Sequence, residues 1–282
     1  MSRCRLLLPC VLAVLAACSH TPPEPLPDPY RSPLASWVPS DNFESRRPVL
    51  IVLHATEQES VRHSLDTLRD RNSSGRVSAH YLIGDDGHIF QLVADDQRAW
   101  HAGKSCWDGL EDLNSWSVGI EIVNPGHNHG LRPFPAVQID RLIELCRDCV
   151  AKWAIPAANV VGHSDIAPSR KEDPGELFPW DQLSAAGIGM TVEPVPISGG
   201  RFPSPGDKGD PVAAWQAMLA AYGFDVTADG NYGDTTRLAT LAFQRHHRPS
   251  LLDGIADTST VGTMHRLLSR RISEEQGRHL AP

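Results

Sequence analysis

The apolar run Pro48-Val-Leu-Ile-Val-Leu-His54 constrains the fold more than any other segment of the chain. It lacks the polar–apolar alternation of a half-exposed strand, so it predicts a strand that is buried on both faces. A sheet that contains such a strand needs covering helices on both sides. Further strands are predicted over residues 77–83, 88–93, 117–123 and 159–162, and helices over residues 57–71 and 135–153. This order predicts an α/β fold with a mixed central sheet flanked by helices.

The C-terminal part of the chain follows a different pattern. Proline and glycine are frequent over residues 190–206, which predicts a linker. Three helices are predicted beyond it, over residues 212–222 and then up to about residues 246 and 270. The last two are each preceded by an Asp-Gly turn with side chains suited to helix capping. We therefore expect one domain at residues 48–189 and a small three-helix domain at residues 207–272.

The N-terminal eighteen residues resemble a bacterial lipoprotein signal. Arg3 and Arg5 precede an apolar run over residues 6–16, which is too short to span a bilayer. The run closes with Leu-Ala-Ala-Cys18, which is similar to a lipobox and implies a signal peptide at residues 1–17 and a lipid on Cys18. An ordinary secretory signal or a buried N-terminal strand are the alternatives. The lipobox interpretation predicts a proline-rich spacer over residues 18–47 and, with Ser19 after the cysteine, the periplasmic face of the outer membrane.

The charge of the chain restricts its partners. The formal net charge is −8, and it becomes −10 if residues 1–17, which hold two arginines and no acids, are removed. Binding to phosphate backbones needs a basic patch, so nucleic acid is not expected as a partner. Attachment to a membrane is left to the lipid anchor, because the acidic surface does not favour a polybasic mode.

Three cysteines remain beyond the predicted signal and lipid. Cys106, Cys146 and Cys149 are an odd number of thiols, which argues against a disulfide framework. The Cys-x-x-Cys spacing of the last two could indicate a redox or zinc site. Both fall on the apolar stripe of the helix predicted over residues 135–153, which favours buried, non-reactive thiols.

Two histidines and one aspartate are candidates for a metal site. His54 and His163 each end a predicted strand, and Asp173 follows ten residues after the second histidine. Two imidazoles and one carboxylate form a three-ligand zinc set with an open fourth position, which can activate water and polarise a carbonyl group. The alternative is that each histidine is a hydrogen-bonded structural residue at the end of its strand.

Glu121 and Lys171 are candidates for acid–base and electrostatic roles. Glu121 lies among apolar residues of a predicted strand, where a carboxylate is costly unless it has a partner or a function. Beside a metal it could take the proton of an attacking water, and Lys171 could stabilise a developing oxyanion. The alternatives are a solvent-facing strand residue and an ordinary loop lysine.

These candidates occur within an ordered series of motifs that resembles the type 2 N-acetylmuramoyl-L-alanine amidase domain, which is shared with peptidoglycan recognition proteins. The resemblance covers about residues 48–186, and with the lipobox and second domain it is most similar to the AmiD-like outer-membrane lipoprotein amidases. It implies His54, His163 and Asp173 as Zn²⁺ ligands, Glu121 as general base and Lys171 as oxyanion stabiliser. Trp100 and His101 would line the substrate groove. The motifs are His54, Ser78-Ala-His-Tyr81, Arg98-Ala-Trp-His-Ala-Gly103, Gly119-Ile-Glu121, Gly162-His163 and Lys171-Glu-Asp-Pro174.

The C-terminal domain resembles the three-helix peptidoglycan-binding module, on the residues Asp229-Gly230, Tyr232-Gly233, Thr236 and Phe243-Gln244. The two resemblances imply zinc-dependent hydrolysis of the bond between N-acetylmuramoyl groups and L-alanine, with peptidoglycan and muropeptides as partners. Three alternatives stay open: a recognition protein without catalysis, a zinc hydrolase that cuts within the stem peptide, and a passive wall tether. No candidate catalytic residue lies beyond Asp173.

Overall fold

The structure is a computed structural model that describes residues 32–40, 47–69 and 75–279. The predicted signal peptide, Cys18 and most of the predicted spacer lie outside the described residues. Within the described ranges, no helix is both long and apolar enough to cross a membrane.

The central sheet has six strands among the described residues, in the order β1-β4-β3-β7-β2-β8. Strand β2 lies between β7 and β8, is parallel to both, and has all six residues buried, which confirms the prediction from its apolar run. Strands β3 and β4, which fall within the predicted strands 77–83 and 88–93, pair antiparallel as a hairpin. Two further strands, β5 and β6, form a separate small hairpin. The strands are β1 (Ser36–Trp37), β2 (Leu50–Ala55), β3 (Tyr81–Ile83), β4 (Ile89–Gln91), β5 (Cys106–Trp107), β6 (Leu110–Glu111), β7 (Ser117–Ile122) and β8 (Val160–Gly162).

Helices cover the sheet and form the C-terminal part, so the predicted mixed α/β architecture with a three-helix C-terminal region is confirmed. Helix α1 begins at Val61 rather than near residue 57, because Glu57 has a φ of 53°, which no right-handed helix accommodates. The helices are α1 (Val61–Arg69), α2 (Gly126–His129), α3 (Ala136–Trp153), α4 (His163–Ile166), α5 (Trp180–Ala185), α6 (Asp210–Tyr222), α7 (Asp234–His247) and α8 (Thr258–His279).

Helix α3 packs its apolar face on the sheet. Leu142, Cys146 and Cys149 are fully buried in one hydrophobic cluster with residues of the central strands. Burial raises the pKa of the Cys146 thiol to about 12, so at neutral pH it is protonated and a poor nucleophile. The prediction of buried, non-reactive thiols on this helix is confirmed by their position.

One short strand was not predicted. Strand β1 pairs in parallel with β4 at the edge of the sheet, and the backbone N–H groups of Val38 and Ser40 continue this contact by donating to the carbonyl groups of Gln91 and Leu92, each at 2.6 Å. A two-residue strand leaves no periodic pattern in a sequence. The chain therefore joins the sheet well before residue 48, inside the segment predicted as spacer.

Residues 190–206 contain no helix or strand, but they are not loose. The Thr263 hydroxyl accepts a hydrogen bond from the backbone N–H of Val195 at 3.0 Å, and Arg266 and Arg270 donate to the carbonyl groups of Glu193 and Thr191 at 2.9 and 2.8 Å. All three side chains belong to α8. The segment is therefore fastened along this helix, which differs from the expectation of a free linker.

The α/β part of the chain, up to residue 189, and the C-terminal part with helices α6 to α8 share one hydrophobic cluster. Trp107, which is 1% exposed, meets the rings of Tyr222 and Phe224 edge to face, with centroids 5.7 and 5.3 Å apart. The cluster includes Leu50, Val52, Trp107, Val161 and Ile166 from the first part and Val212, Trp215, Leu219, Tyr222 and Phe243 from the second. The fold of the first part thus relies on the second for part of its core.

We expect a chain shortened to residues 1–189 to be strongly destabilised. Losing the second part exposes the Trp107 ring, and an aromatic side chain of this size contributes about 4 kcal/mol through its buried area alone. Thermal unfolding and size-exclusion chromatography of the shortened and full chains provide the comparison. A shortened chain that is monomeric and melts at the temperature of the full chain would contradict this prediction.

Candidate active site

The candidate site forms where parallel strands of the central sheet end. Parallel strands bring their carboxyl ends to one edge, and here His54 of β2 lies directly opposite Glu121 of β7. Gly162, the last residue of β8, pairs with Leu53, so His163 emerges beside His54. Asp173 lies in the loop that follows, and its own backbone carbonyl accepts a hydrogen bond from the N–H of Ser164 at 2.9 Å. The topology brings together all the residues that the sequence placed in one site.

His54, His163 and Asp173 present three atoms to a common point. The Nδ1 atoms of the two imidazoles are 2.9 Å apart, and the Asp173 Oδ2 lies 3.3 Å from the first and 3.2 Å from the second. In a tetrahedral site with bonds of about 2.0–2.1 Å, neighbouring ligand atoms are separated by about 3.3 Å. All three residues are buried, and together they form a group that could hold a metal ion.

The tautomers of both imidazoles follow from their outer contacts. The Nε2–H of His163 donates to the carbonyl oxygen of Ala102 at 3.2 Å, which leaves its Nδ1 as an acceptor. The hydroxyl of Ser117 donates to the Leu113 carbonyl at 2.6 Å, so its oxygen accepts from Nε2 of His101 at 3.3 Å. His101 Nδ1 then accepts from Nε2 of His54 at 3.0 Å.

Three acceptor atoms therefore face one another without a proton among them. The Nδ1 lone pairs of His54 and His163 point to the same space as the Asp173 carboxylate, an arrangement that a cation satisfies. Burial, reinforced by the neighbouring His163, lowers the pKa of His54 to about 4, which keeps this imidazole neutral and able to bind metal. Burial alone would raise the pKa of Asp173, but the two imidazoles outweigh it and hold that pKa well below its usual range. The donor set fits a metal ion.

Glu121 is placed beside this triangle without belonging to it. Its Oε1 lies 3.9 Å from the Nδ1 of His54, and its Oε2 is buried and makes no hydrogen bond to any residue that the structure describes. Burial and the nearby Asp173 carboxylate raise the pKa of Glu121 to about 8. A carboxyl group with a pKa near neutrality is suited to accept a proton and return it.

A cleft of about 150 Å³ opens onto these groups. Lys171, Trp100 and His101 all border it, so the structure brings the predicted oxyanion stabiliser and substrate-groove residues to the same cavity. Lys171 is close enough to lower the pKa of both His54 and Glu121 electrostatically. Trp100 also carries the guanidinium group of Arg76 over its ring, 4.7 Å from the centroid. The roles of these residues stay predictions.

Besides bordering the cleft, His101 holds a candidate metal ligand in place, a role that the sequence motif alone did not reveal. Its Nδ1 accepts a hydrogen bond from His54 and its Nε2 donates one to Ser117. His101 therefore fixes the orientation of the candidate ligand His54. Gly119 makes room for it, because a Cβ atom there would lie 2.3 Å from the His101 ring. Such outer contacts commonly set metal affinity as well as ligand orientation. Ser117 is connected to the site only by the three-dimensional structure, which also shows why a glycine is needed at position 119 of the motif.

We expect Gly119→Ala to weaken metal binding by about tenfold or more, the range seen when outer contacts of ligands are lost. The added methyl group displaces His101 and so removes the acceptor for the Nε2–H of His54. Zinc affinity measured by competition with a chelator of known strength provides the readout, with His101→Ala as the comparison. The prediction fails if the alanine variant folds and binds Zn²⁺ as tightly as the parent.

A carboxylate and two imidazoles at the open edge of an α/β sheet, with an acid and a lysine alongside, are the groups typical of a metal-dependent hydrolase. The N-acetylmuramoyl-L-alanine amidase AmiD of Escherichia coli (strain K12) is 39% identical to this chain over 237 residues, which is 78% of this chain and 82% of that protein. The chain belongs to the N-acetylmuramoyl-L-alanine amidase family. Residues 44–176 match the family model with that description, and residues 208–264 match the model described as "Putative peptidoglycan binding domain".

Solved structures agree with this assignment. Escherichia coli AmiD, in complex with the substrate anhydro-N-acetylmuramic acid-L-Ala-D-gamma-Glu-L-Lys, is similar with a TM-score of 0.65 and 38% identity, covering 79% of this chain and 90% of that one. AmpDh3 from Pseudomonas aeruginosa, in complex with an anhydromuramic pentapeptide, is similar with a TM-score of 0.63 and 30% identity. That match covers 80% of this chain and 93% of the other. Both matches span the two parts of the fold.

Proposed function

We propose that this chain hydrolyses the amide bond between N-acetylmuramoyl groups and the L-alanine of peptidoglycan stem peptides, with Zn²⁺ held by His54, His163 and Asp173. The triangle of three acceptor atoms, fixed by the tautomers of both imidazoles, is the observation that carries the proposal. Nitrogen and oxygen donors in a three-ligand set with a further open position are typical of catalytic zinc. The substrate class follows from the muramoyl-peptide ligands of the similar enzymes.

The residues around the triangle supply the remaining chemistry. The three ligands would hold zinc, and the metal would supply Lewis-acid activation of the scissile carbonyl group and of water. Glu121, whose carboxyl group lies beside the ligand triangle with its Oε2 unbonded among the described residues, accepts the proton of the attacking water and returns it to the leaving amine of L-alanine. Lys171 stabilises the oxyanion from the side of the cleft. Trp100 and His101 border the groove in which the muramoyl group and peptide lie.

The bond that is cut distinguishes this function from its rivals. Purified protein is incubated with soluble muropeptides, with and without a chelator, and the products are identified by mass spectrometry. We expect a free muramic acid product and an intact stem that begins with L-alanine, and no reaction with the chelator. A shortened stem would indicate a peptidase, and an unchanged substrate under all conditions would indicate a recognition protein or a passive tether.

The C-terminal part is proposed to bind the wall polymer. Its match to a peptidoglycan-binding family supports this role. Because this part also completes the hydrophobic core around Trp107, its contribution to wall binding is best measured with surface variants of the full chain. Sedimentation with insoluble wall material gives the readout.

We further propose that the mature protein is lipid-anchored at Cys18 on the periplasmic face of the outer membrane. The support is the pattern of charge, apolar length and small residues before Cys18. Cys18→Ser should move the protein from the membrane pellet to the soluble periplasmic fraction with unchanged turnover of soluble muropeptides. Continued membrane association of the serine variant would show that the lipobox interpretation is wrong.

A further inference from the structure

The C-terminal end of α7 lies against both loops that carry the candidate ligands. Arg245 and His246 are consecutive residues near the end of this helix and are 8% and 5% exposed. His246 contacts the turn that holds His163, and Arg245 contacts the loop that holds Asp173. One helix end from the C-terminal part therefore reaches the supports of two candidate ligands that are themselves ten residues apart.

The contact on the His163 side is buried. Nδ1 of His246 donates to Oδ2 of Asp165 at 2.7 Å, and the same oxygen accepts the backbone N–H of Gly162 at 2.7 Å. Asp165 thereby bridges α7 to the residue that immediately precedes His163. The side chain of Asp165 is 1% exposed, and its other oxygen has no partner among the described residues. A buried carboxylate depends strongly on the few partners it has.

The ring of His246 is held in place from both faces. It stacks on Trp180 at a centroid distance of 3.7 Å and on His247 at 3.8 Å, with interplanar angles of 20° and 11°. Trp180 also approaches Gly162, where a Cβ atom would lie 3.3 Å from its ring. The stack sets the position of Nδ1, so the hydrogen bond to Asp165 has a fixed direction.

The contact on the Asp173 side is more open. Arg245 donates to Oε1 of Glu172 at 3.1 Å and lies 3.9 Å from Glu176, but the Glu172 side chain is 60% exposed. Ion pairs at such positions contribute little on their own. The buried contact of His246 is therefore the one that matters most, and the hydrogen bond from Ser164 to the Asp173 carbonyl connects both loops.

We propose that His246 is a positioning residue for the metal site: through Asp165 it fixes the turn that carries His163, so that the C-terminal part sets metal affinity. This inference rests on the proposed zinc site. It gives the C-terminal part a role in the chemistry that is separate from binding the wall. Similar hydrogen bonds outside the ligand sphere change metal affinity by about 10–100-fold.

The test uses the full chain and compares His246→Ala with His246→Asn. The alanine variant removes the donor to Asp165, whereas the asparagine amide places an N–H group close to the position of Nδ1. Zn²⁺ affinity is measured by chelator competition, and the ligand geometry is followed through the visible absorption of the Co²⁺-loaded protein. We expect His246→Ala to weaken Zn²⁺ binding by about tenfold and change the Co²⁺ spectrum, and His246→Asn to restore both.

Gln244→Ala is the matched control. Gln244 is fully buried two residues earlier on α7, and its amide binds Asp253 and Thr260 inside the C-terminal part, away from the ligand loops. We expect this variant to melt at a lower temperature while its Zn²⁺ affinity stays that of the parent. Equal losses of Zn²⁺ affinity in the Gln244 and His246 variants would overturn the proposal, since general destabilisation would then explain both.

Other outcomes are also decisive. A folded His246→Ala protein with parental Zn²⁺ affinity and Co²⁺ spectrum overturns the inference. If His246→Ala does not fold, His246→Phe, which keeps the aromatic stack and lacks the donor, takes its place with the same expected loss. Failure of both to fold would assign His246 to global stability and reject the positioning role. A parent protein that binds no Zn²⁺ would instead refute the proposed metal site itself.

Discussion

Replacing His163 by alanine is expected to remove the metal and reduce turnover by more than about 10³-fold. Two donors hold zinc poorly, and the Lewis-acid contribution to the reaction amounts to several kcal/mol, of which each 1.36 kcal/mol is a factor of ten in rate. Metal content by atomic emission and hydrolysis of a soluble muropeptide are measured on the same preparation. Treating the parent protein with a chelator should produce the same loss, and added Zn²⁺ should restore only the parent.

A suitable control is His265→Ala. His265 is an exposed residue of α8, far in the sequence from the candidate ligands, and its replacement should leave metal content and turnover unchanged. Parental activity in a His163→Ala protein shown to be free of metal would eliminate the triangle as the catalytic centre.

Glu121→Gln is expected to keep the metal and lose about 10²–10⁴-fold in turnover, the usual contribution of a general acid–base group. Glutamine keeps the shape of the side chain and cannot accept the proton of water. The loss should appear in kcat rather than in zinc content. Near-parental kcat would reduce Glu121 to a structural residue of β7.

The same variant has an expected effect on stability with a definite sign. The pKa of Glu121 is raised to about 8 in the folded chain, so folding disfavours the ionised carboxylate. The contribution of this group to the free energy of unfolding is therefore complete below its pKa in the unfolded chain and is lost as pH rises towards 8. At pH 8 and above, the melting temperature of the Glu121→Gln protein should therefore be no lower than that of the parent when both are measured without metal. A clear drop in melting temperature would show that Glu121 supports the fold.

The sequence predicted the site better than it predicted the surroundings of the site. His54 and Glu121 end or occupy strands with strong apolar patterns, and parallel strands must bring such positions to one edge. Asp173 and Lys171 were candidates from residue type and distance along the chain, and the family resemblance supported them, because a loop residue has no periodicity that places it beside a given neighbour. The structure then placed all four around one cleft.

Contacts between distant segments were beyond prediction from patterns. His246 and Asp165 are 81 residues apart, and no local rule pairs them. The proline and glycine content of residues 190–206 correctly indicated irregular backbone, but composition does not show whether such backbone packs on a helix. Helix α8 continues to His279, past the helix end predicted near residue 270, because residues 271–276 contain no proline or glycine to end it.

Strand β1 would limit the reach of an active site that is anchored through Cys18. If the lipid is on Cys18, only the fourteen residues 18–31 precede the described segment that joins the sheet, whereas the predicted spacer up to residue 47 would provide thirty. Fully stretched, these lengths span at most about 50 Å and about 105 Å. On the proposed anchoring, the attachment of β1 to β4 would roughly halve the distance from the anchor at which the cleft can meet wall polymer, and the enzyme would serve the wall layer nearest that membrane.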